Sequence, residues 1–451
     1  MHVLNFLPAL QRIEPVKMVN RDSVIVIRKI CLLILVAISS KAHSQWSEKV
    51  LLGNGGEPTV STDGLGNVFA TCHLPSCLYI SRDWGKTFKE KKSFTDSLGD
   101  VQVLAWTNGR VHVVYMLSDI TGMTGWYSSD SGKTFKKSNV VPGPLDREWV
   151  AADPKKNILY MNYSNGYIGG PKSKGVFLAI SRDEGATFSE SVRIDKEAPG
   201  DYPVDPYLVT SSDGRIYAMW TTSKDYDTID RYRFAYSDDG GKTFTGHRTI
   251  GELHKKLGTT QERWMLGTLV ASGPKTVMAI YQDYQSYTVD GVETHPLTML
   301  VSVSNDGGAT FSEPKPLLSD DEMQKAIRQF RSKMNLKGTN PTFIQTEPWA
   351  SASPNGTIHV VWQDNRDGHG MSGKNILGKW HVRYVTINNN GLASGESERV
   401  SPNTMTIRPP LDFISCAADS KYVYAIWSET PNNPADMQFS GNLYIARKEI
   451  K

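Results

Sequence analysis

The chain has 451 residues, of which 39% are hydrophobic, so it is long enough for one large domain or two ordinary ones. Its net charge of +3 comes from 50 basic and 47 acidic residues that are mixed along the chain, which excludes a basic surface for nucleic acid or for an anionic membrane. After residue 44 no segment approaches the roughly 18 uninterrupted apolar residues of a membrane-spanning helix.

The N-terminal segment has the pattern of an export signal. Arg28 and Lys29 precede an apolar run over residues 30–40, and Ala42 and Ser44 place small residues just before Gln45. We therefore predict a leader and signal peptide over residues 1–44, cleavage near Ser44-Gln45, and a periplasmic or secreted protein. Met18 is an alternative start.

The mature chain begins with an apolar segment, SQWSEKVLL at 44–52, which predicts a strand. Cys72 and Cys77 then flank a four-residue connection that reads as the end of a hairpin. Two interpretations stay open for this pair, a disulfide or two free thiols. Cys416 lies in an apolar strand and predicts a buried thiol.

One motif, Ser-x-Asp-x-Gly-x-Thr-Phe, organises the chain from residue 81 to residue 311. It occurs as SRDWGKTF at 81, SSDSGKTF at 128, SRDEGATF at 181, SDDGGKTF at 237 and SNDGGATF at 304. Each copy lies between two apolar strands, so we place it on a hairpin turn. Ser and Asp side chains bond the backbone of a tight turn, and Gly supplies the positive φ.

Aligning the chain on this motif gives seven repeating units. They start at residues 56, 99, 146, 205, 262, 347 and 408, and the last two have lost the motif but keep the strands. The seventh unit is one strand short, so we predict that the N-terminal strand completes it and removes the free edges. The sequence thus predicts an all-β fold, a single β-propeller domain over residues 45–451 with seven blades, or six as the alternative.

An insertion over residues 315–346 precedes the sixth unit. Ser319 and Glu322 form a capping box, and Met323, Ile327, Phe330 and Met334 recur at helical spacing. This predicts a short amphipathic helix, which either forms a lid over the site or simply covers one blade.

The motif resembles the Asp box of the sialidase-like, or BNR-repeat, β-propellers. That resemblance implies that the five copies lie on the face away from the active site and have no catalytic role. It also implies a glycoside hydrolase. Sialidases carry an Arg-Ile-Pro motif on the first blade, whereas this chain has Gly56-Glu57-Pro58 at the corresponding position.

Charged residues at the leading ends of the innermost strands are the first candidates for a site, because these ends face the central funnel. They are Glu57, Asp100, Arg147, Asp205, Arg263, Glu347 and Arg408. Three arginines favour bidentate binding of a carboxylate or sulfate, so Arg147, Arg263 and Arg408 are predicted to hold an acidic glycan. Asp205, Glu347 and Glu57 are the candidates for acid, base or nucleophile. The alternative is a ring of salt bridges with no substrate.

A second pattern pairs an aromatic residue with an acid two positions later, at Tyr281 and Asp283, Trp362 and Asp364, and Trp427 and Glu429. Such a pair lies on one side of a strand and suits a sugar, although packing inside a blade explains it equally. The substrate-binding candidates from this part of the chain are Asp283, Asp364, Arg366 and Trp349.

No zinc-type Cys or His spacing and no Gly-rich phosphate loop occur, so neither a metal nor a cofactor is predicted. The sequence favours an exported, exo-acting glycoside hydrolase for an acidic oligo- or polysaccharide. The alternatives are a non-catalytic glycan- or protein-binding propeller and a lyase for uronic-acid glycans.

Overall fold

The structure, a computed structural model, describes residues 45–450 except 74–75, 154, 167–171, 190, 225–227, 259–266, 334–342, 373–374, 403–404, 408–413 and 430–440. The predicted signal peptide, Arg263, Arg408 and Met334 therefore lie outside the described residues. From Trp46 onward the chain forms one compact unit made almost entirely of antiparallel strands.

The first half of the chain contains the following strands: β1 (Val50–Thr62), β2 (Val68–His73), β3 (Cys77–Ser81), β4 (Glu90–Ser93), β5 (Ser97–Trp106), β6 (Arg110–Leu117), β7 (Gly122–Ser128), β8 (Lys136–Lys137), β9 (Val141–Pro142), β10 (Leu145–Asp153), β11 (Ile158–Asn165), β12 (Val176–Ser181), β13 (Val192–Arg193), β14 (Tyr202–Thr210), β15 (Ile216–Ser223), β16 (Thr228–Ser237) and β17 (Thr245–Gly258). A short 3-10 turn, Thr107–Gly109, connects β5 to β6.

The second half contains β18 (Gly267–Ser272), β19 (Thr276–Tyr284), β20 (Tyr287–Val289), β21 (Val292–Thr294), β22 (Leu297–Ser304), β23 (Lys315–Pro316), helix α1 (Asp320–Lys333), β24 (Gln345–Ala352), β25 (Ile358–Asp364), β26 (His369–Ser372), β27 (Asn375–Ile387), β28 (Glu398–Arg399), β29 (Met405–Ile407), β30 (Ser415–Ala418), β31 (Tyr422–Glu429) and β32 (Gly441–Glu449).

Five sheets of four to six strands are separate blades, and they correspond to the second to sixth sequence units. They comprise β5–β9, β10–β13, β14–β17, then β18, β19, β22 and β23, and finally β24–β29. The second strand of a blade is covered on both faces by neighbouring blades, so it is apolar throughout; β25 is buried along its whole length. The innermost strands contact each other in a closed cycle, β1, β5, β10, β14, β18, β24, β30 and back to β1. The all-β propeller is thus confirmed.

The first and seventh units do not form separate blades. They share a seven-stranded sheet in the order β30-β31-β32-β1-β2-β3-β4. Strand β1 pairs with β32 over Val50–Gly55 and with β2 over Gly56–Thr62. The expected seven (or six) separate blades are therefore wrong in number, because no turn divides β1 and it continues from one unit into the next.

The five repeated motifs, which we call the Asp-box hairpins, share one set of hydrogen bonds. In the fourth copy, Ser237 Oγ donates to Asp239 Oδ1 at 2.8 Å, while the Gly241 N–H donates to Ser237 Oγ at 3.0 Å. Thr243 donates to the same carboxylate from its N–H at 3.0 Å and from its Oγ1 at 2.6 Å. The Ser, Asp, Gly and Thr groups of each hairpin therefore form hydrogen bonds with one another within the turn.

Helix α1 packs on the fifth and sixth blades. Met323, Ala326, Ile327 and Phe330 form its buried face, in one cluster with residues of β19, β22 and β25. Ser319 Oγ accepts the Glu322 N–H at 3.3 Å, as a cap does. The Glu322 carboxylate, however, accepts the Ser397 N–H at 3.0 Å, so only half of the predicted capping box forms.

The thiols of Cys72 and Cys77 face each other across β2 and β3, with 3.4 Å between the two Sγ atoms. They are free thiols in this structure, as is the buried Cys416. Of the two interpretations left open by the sequence, the structure has the free pair.

Candidate active site

The candidate site is built on a backbone irregularity that recurs in the innermost strands. Residues with φ between 47° and 59° occupy one β-bulge each in β1, β5, β10, β14 and β24: Glu57, Asp100, Arg147, Asp205 and Glu347. A left-handed backbone costs a non-glycine residue about 1–3 kcal/mol, so five equivalent cases indicate a constraint imposed by the ring. These are the five described members of the charged set predicted from the sequence.

The bulge residues contact one another around the ring. Glu57 Oε2 accepts the Asp100 N–H at 3.0 Å, and Asp100 Oδ2 accepts the Arg147 N–H at 3.3 Å. Arg147 Nε lies 3.7 Å from Asp205 Oδ1. The carboxylates of Glu57 and Asp100 therefore each accept the bulge N–H of the next unit, and Arg147 and Asp205 form an ion pair of the kind that the salt-bridge alternative anticipates.

The third unit departs from this pattern. It has a cation, Arg147, where the other described units have carboxylates, and acids on both sides of it, Asp146 and Glu148. Among the other described bulges, proline follows the bulge residue in three, at Pro58, Pro206 and Pro348. The sequence Asp-Arg-Glu thus places three charged residues in succession at the bulge of the third unit.

Asp146 and Asp100 form a carboxyl pair. Burial raises the pKa of Asp146 well above its usual range, the nearby Asp100 charge and a hydrogen bond to Asp100 raise it further, and Arg147 only partly opposes them. Asp146 keeps a small exposed fraction, whereas Asp100 is buried. A carboxyl group whose pKa is raised is suited to act as a general acid.

Glu148 is fully buried beside the pair. Burial raises the pKa of Glu148 well above its usual range, and the charges of Asp100, Asp146 and Glu57 act in the same direction. Its own backbone N–H is the one group that lowers this pKa, and no other described residue donates a hydrogen bond to its carboxyl oxygens.

His73, at the end of β2, lies next to Glu57. A side chain placed at Gly99 would meet His73 Nδ1 at 3.3 Å and Glu57 Oε2 at 3.4 Å, which explains why a glycine stands there. Burial lowers the pKa of His73, although Asp100 raises it in part, so the imidazole is neutral near pH 7.

The two predicted catalytic acids in the fourth and sixth units have firm partners. Thr221 Oγ1 donates to Asp205 Oδ2 at 3.3 Å, opposite the oxygen that faces Arg147. Gln363 Nε2 donates to Glu347 Oε2 at 2.6 Å, and Glu347 is fully buried. Of the predicted catalytic residues, Asp205 is the one that lies beside both Arg147 and the carboxyl pair, since its charge also raises the pKa of Asp146.

An aromatic layer lies two residues after the bulges. The ring centroids of Trp149 and Trp349 are 4.7 Å apart, although their strands belong to the third and sixth units, with two blades between them in the ring. Tyr207 stacks on Trp149 at 5.4 Å. These three rings meet across the axis and form an aromatic floor beneath the charged residues.

The remaining predicted binding residues serve local structure. Asp283 accepts the His254 N–H at 3.0 Å and the Tyr284 N–H at 2.8 Å. Asp364 accepts Trp362 Nε1 at 3.3 Å and pairs with Arg366 at 2.6 Å.

Arg366 in turn lies 3.6 Å from Glu322 of helix α1. The contacts of Asp283, Asp364 and Arg366 are those that the packing interpretation of the aromatic-acid pattern expects, and a role of these residues in sugar binding stays a prediction.

Three residues of the site were missed in the sequence: Asp146, Glu148 and His73. Asp146 and Glu148 adjoin Arg147, so the three successive charges of Asp-Arg-Glu are the sequence feature that could have identified them. His73 carried no signal, because a single histidine at the end of a strand is common.

In the described part of the chain no group of three or more acidic, His or Cys side chains has the spacing of a metal site. None of the helices there is long and apolar enough to cross a membrane.

No family model and no curated protein matches the chain. Among solved structures, an alpha-L-arabinanase of Penicillium chrysogenum complexed with arabinobiose is 13% identical, with 90% of this chain and 98% of that chain covered and a TM-score of 0.43. An ulvan lyase bound to its oligosaccharide is 9% identical, with 89% and 95% covered and a TM-score of 0.44. A Hadza microbial sialidase is 12% identical, with 86% and 74% covered and a TM-score of 0.44.

The propeller fold that the repeated motif predicts is shown by the sheets of this chain. The sugars named for these structures are ligands or substrates of those proteins.

Proposed function

We propose that the protein is an exported glycoside hydrolase in which Asp146 is the general acid. The observation that carries this proposal is the carboxyl pair of Asp100 and Asp146, whose oxygens both accept the Arg147 N–H, at 3.3 Å and 3.1 Å, with Asp146 partly exposed. A protonated carboxyl group donates its proton to the glycosidic oxygen as the bond to the leaving sugar breaks.

Asp205 is the partner carboxylate in this mechanism. Two carboxyl groups that act on opposite sides of a glycosidic bond lie about 5–9.5 Å apart, so Asp100, which is hydrogen-bonded to Asp146, is too close to be the second group. Asp205 comes from the next unit and is positioned by Arg147 and Thr221. It serves as nucleophile or as the base that activates water, and Asp100 keeps the proton on Asp146.

The aromatic floor supports attack at a chain end. Because Trp149 and Trp349 meet across the axis, a glycan enters the funnel from one side and stops at the floor. Trp349, which is half-buried, offers its ring to the terminal sugar. An exo-acting enzyme follows from a funnel closed in this way.

The preference for an acidic glycan, carboxylated or sulfated, depends on Arg263 and Arg408. Arg147 already pairs with Asp205, so it is only partly available to an anion. We propose that Arg263 and Arg408, of the fifth and seventh sequence units, bind the anionic group. Replacing both by Gln is then expected to raise KM for sialosides or uronic-acid oligosaccharides and to leave neutral substrates unaffected.

The test of the hydrolase is turnover of a panel of sialosides, uronic-acid oligosaccharides and neutral oligosaccharides. We expect Asp146→Asn and Asp205→Asn each to reduce kcat/KM by about 10²–10⁴-fold, as the loss of an acid or base does. Glu396→Gln, which changes an exposed carboxylate on the surface, is the matched control. A wild type without turnover, or an Asp146→Asn variant with full activity, contradicts the proposal. An unsaturated product identifies a lyase instead.

A second candidate is a non-catalytic binding propeller, and one observation favours it. The bonds that link Glu57, Asp100, Arg147 and Asp205 around the ring, together with the aromatic floor, form a plug that requires no substrate. Saturable binding of a glycan without any product selects this function.

Two further points belong to the proposal. We infer that the seven-stranded sheet acts as two blades, so that the ring has seven units; the closed cycle of seven innermost strands supports this. We also propose export, with cleavage near Gln45, which N-terminal sequencing of the mature protein tests.

A further inference from the structure

The thiols of Cys72 and Cys77 have a geometry from which a disulfide forms directly. The two residues are opposite each other in the pairing of β2 with β3, and their Sγ atoms are 3.4 Å apart. Opposite residues of antiparallel strands have Cα atoms about 4.5 or 5.5 Å apart, and both values lie within the roughly 4.4–6.8 Å that a disulfide spans. An S–S bond of about 2.0 Å therefore requires a small approach of the two sulfurs and no change of strand register.

Both thiols are buried where the first unit packs on the seventh. They belong to one hydrophobic cluster with Tyr79 of β3 and with Leu443 and Ile445 of β32. Strand β1 leaves room for them with a glycine, since a side chain at Gly55 would meet Cys72 Sγ at 2.5 Å. A covalent link between β2 and β3 at this point therefore stabilises the sheet that joins the two units.

The pair supplies both a nucleophile and the second thiol that completes the bond. The hydrogen bond from the Cys72 thiol lowers the pKa of Cys77 to about 7; burial opposes this, and the Tyr79 hydroxyl and the Lys91 charge lower the pKa further. Cys77 is thus partly a thiolate near neutral pH, and the thiolate is the form that attacks a disulfide.

The edge of the sheet gives access to Cys77. Strand β4 is the outermost strand at this end of the sheet, it has four residues, and its last residue, Ser93, pairs with Cys77. Short segments with few buried apolar contacts open locally without unfolding of the rest. An oxidant therefore reaches Cys77 when β4 opens, or during folding before β4 has paired.

We propose that Cys72 and Cys77 form an intramolecular disulfide in the exported protein. The inference rests on the proposed export, because the thiols of cytoplasmic proteins are kept reduced. It does not depend on the proposed hydrolase activity.

The oxidant is another disulfide, such as oxidised glutathione. The Cys77 thiolate attacks one sulfur of this disulfide and releases the first thiol. Cys72 then loses its proton and attacks Cys77 Sγ in the mixed disulfide, which releases the second thiol. One protein disulfide forms, one oxidant disulfide is reduced to two thiols, and the two thiol hydrogens of the protein end on these products.

The experiment refolds the reduced full chain in a buffer of oxidised and reduced glutathione. Remaining thiols are then alkylated, and peptides are mapped by mass spectrometry. We expect one pair of peptides joined through Cys72 and Cys77, with Cys416 alkylated. Reduction of the refolded protein by dithiothreitol is expected to lower its melting temperature by about 2–5 °C, because the link constrains the unfolded chain.

Two matched variants separate the link from a general effect of the reductant. In Cys77→Ala the dithiothreitol effect is expected to vanish. In Cys416→Ala, which removes a buried thiol elsewhere, it is expected to remain. The mapping of the wild type needs neither variant to fold.

Alkylation of both Cys72 and Cys77 after refolding overturns the proposal, and so does a bond from either one to another cysteine. A bond that leaves the melting temperature unchanged overturns its stabilising role. These outcomes are distinct from a failure of export, which N-terminal sequencing of the secreted protein detects, and from a failure of the hydrolase, which glycan turnover detects.

Discussion

At the scale of single residues, the bulge positions distinguish residues that stabilise the ring from residues that are available for catalysis. A carboxylate at Glu57 or Asp100 accepts the bulge N–H of the next unit, so an acid at this position has a structural reason. Arg147 has no acceptor to offer and cannot do this for the fourth unit. Among the described bulges, the third unit, with Asp146 and Glu148, is therefore the one that breaks this pattern.

The role of Asp100 leads to a prediction about pH. Burial is the main reason for the raised pKa of Asp146, and the charge of Asp100 is the next. Asp100→Asn keeps an oxygen for the Arg147 N–H but removes that charge, so the pKa of Asp146 falls. Because the acid must be protonated to act, the basic limb of the kcat/KM profile is expected to move to lower pH. A limb that stays in place, as it does in the Glu396→Gln control, contradicts the assignment of Asp146.

The sequence predicts part of this site and misses part for a physical reason. Residues at the leading ends of the innermost strands were selected by charge, and Glu57, Asp100, Arg147, Asp205 and Glu347 all occupy equivalent bulges. Side chains alternate between the two faces of a regular strand. If Arg147 faces the funnel, this alternation predicts that Asp146 and Glu148 face away from it. A bulge breaks that alternation and brings consecutive residues to one region.

At the scale of elements, the Asp-box hairpins show a repeat that serves stability. Partial burial raises the pKa of Asp239, but the bonds from Thr243 and Ser237 outweigh it and lower the pKa to about 2. The folded-state pKa lies below the ~3.9 of an unfolded Asp, so the stabilisation is fully present above about pH 4 and is lost as the pH falls towards 2.

Asp239→Asn is therefore expected to lower the free energy of unfolding by about 1 kcal/mol near neutral pH, because charge-assisted bonds become ordinary ones. Thermal unfolding across pH measures this, and the difference from the wild type is expected to shrink below pH ~4. Activity at low temperature stays unchanged, since the hairpin lies outside the site. A difference that grows as the pH falls contradicts the argument.

Helix α1 is the element whose role the sequence left open between lid and cover. Its apolar face is buried against the fifth and sixth blades, and Glu322 ties it to Ser397. Both contacts favour a cover. Phe330→Ala is expected to cost about 3–5 kcal/mol of stability, as the loss of a buried aromatic ring does, with kcat/KM unchanged well below the melting temperature. Ser332→Ala, on the exposed face of the same helix, is the control. A large loss of activity at full stability identifies a lid.

At the scale of the whole molecule, the fold follows from a local pattern repeated around a ring. Five hairpin motifs and the apolar second strands fix the blades, so an all-β propeller is predictable from the sequence alone. The joining of the first and seventh units is less predictable from the sequence. Strand β1 continues through a bulge at Glu57, and a bulge has no characteristic residue types, whereas a turn does.

The pairing of β1 with β32 makes the stability of the whole ring depend on a few N-terminal residues. A chain that begins at Gln45 keeps this pairing, whereas a chain that begins at Asn54 loses Val50 to Gly53 and exposes the edge of β32. Since the innermost strands form a closed cycle, an opening at one point removes neighbours on both sides. We expect the shorter chain to unfold at a much lower temperature and to aggregate through the free edge, and the longer one to match the full-length protein in thermal unfolding and light scattering. Equal melting temperatures for the two chains show that the ring closes through other contacts.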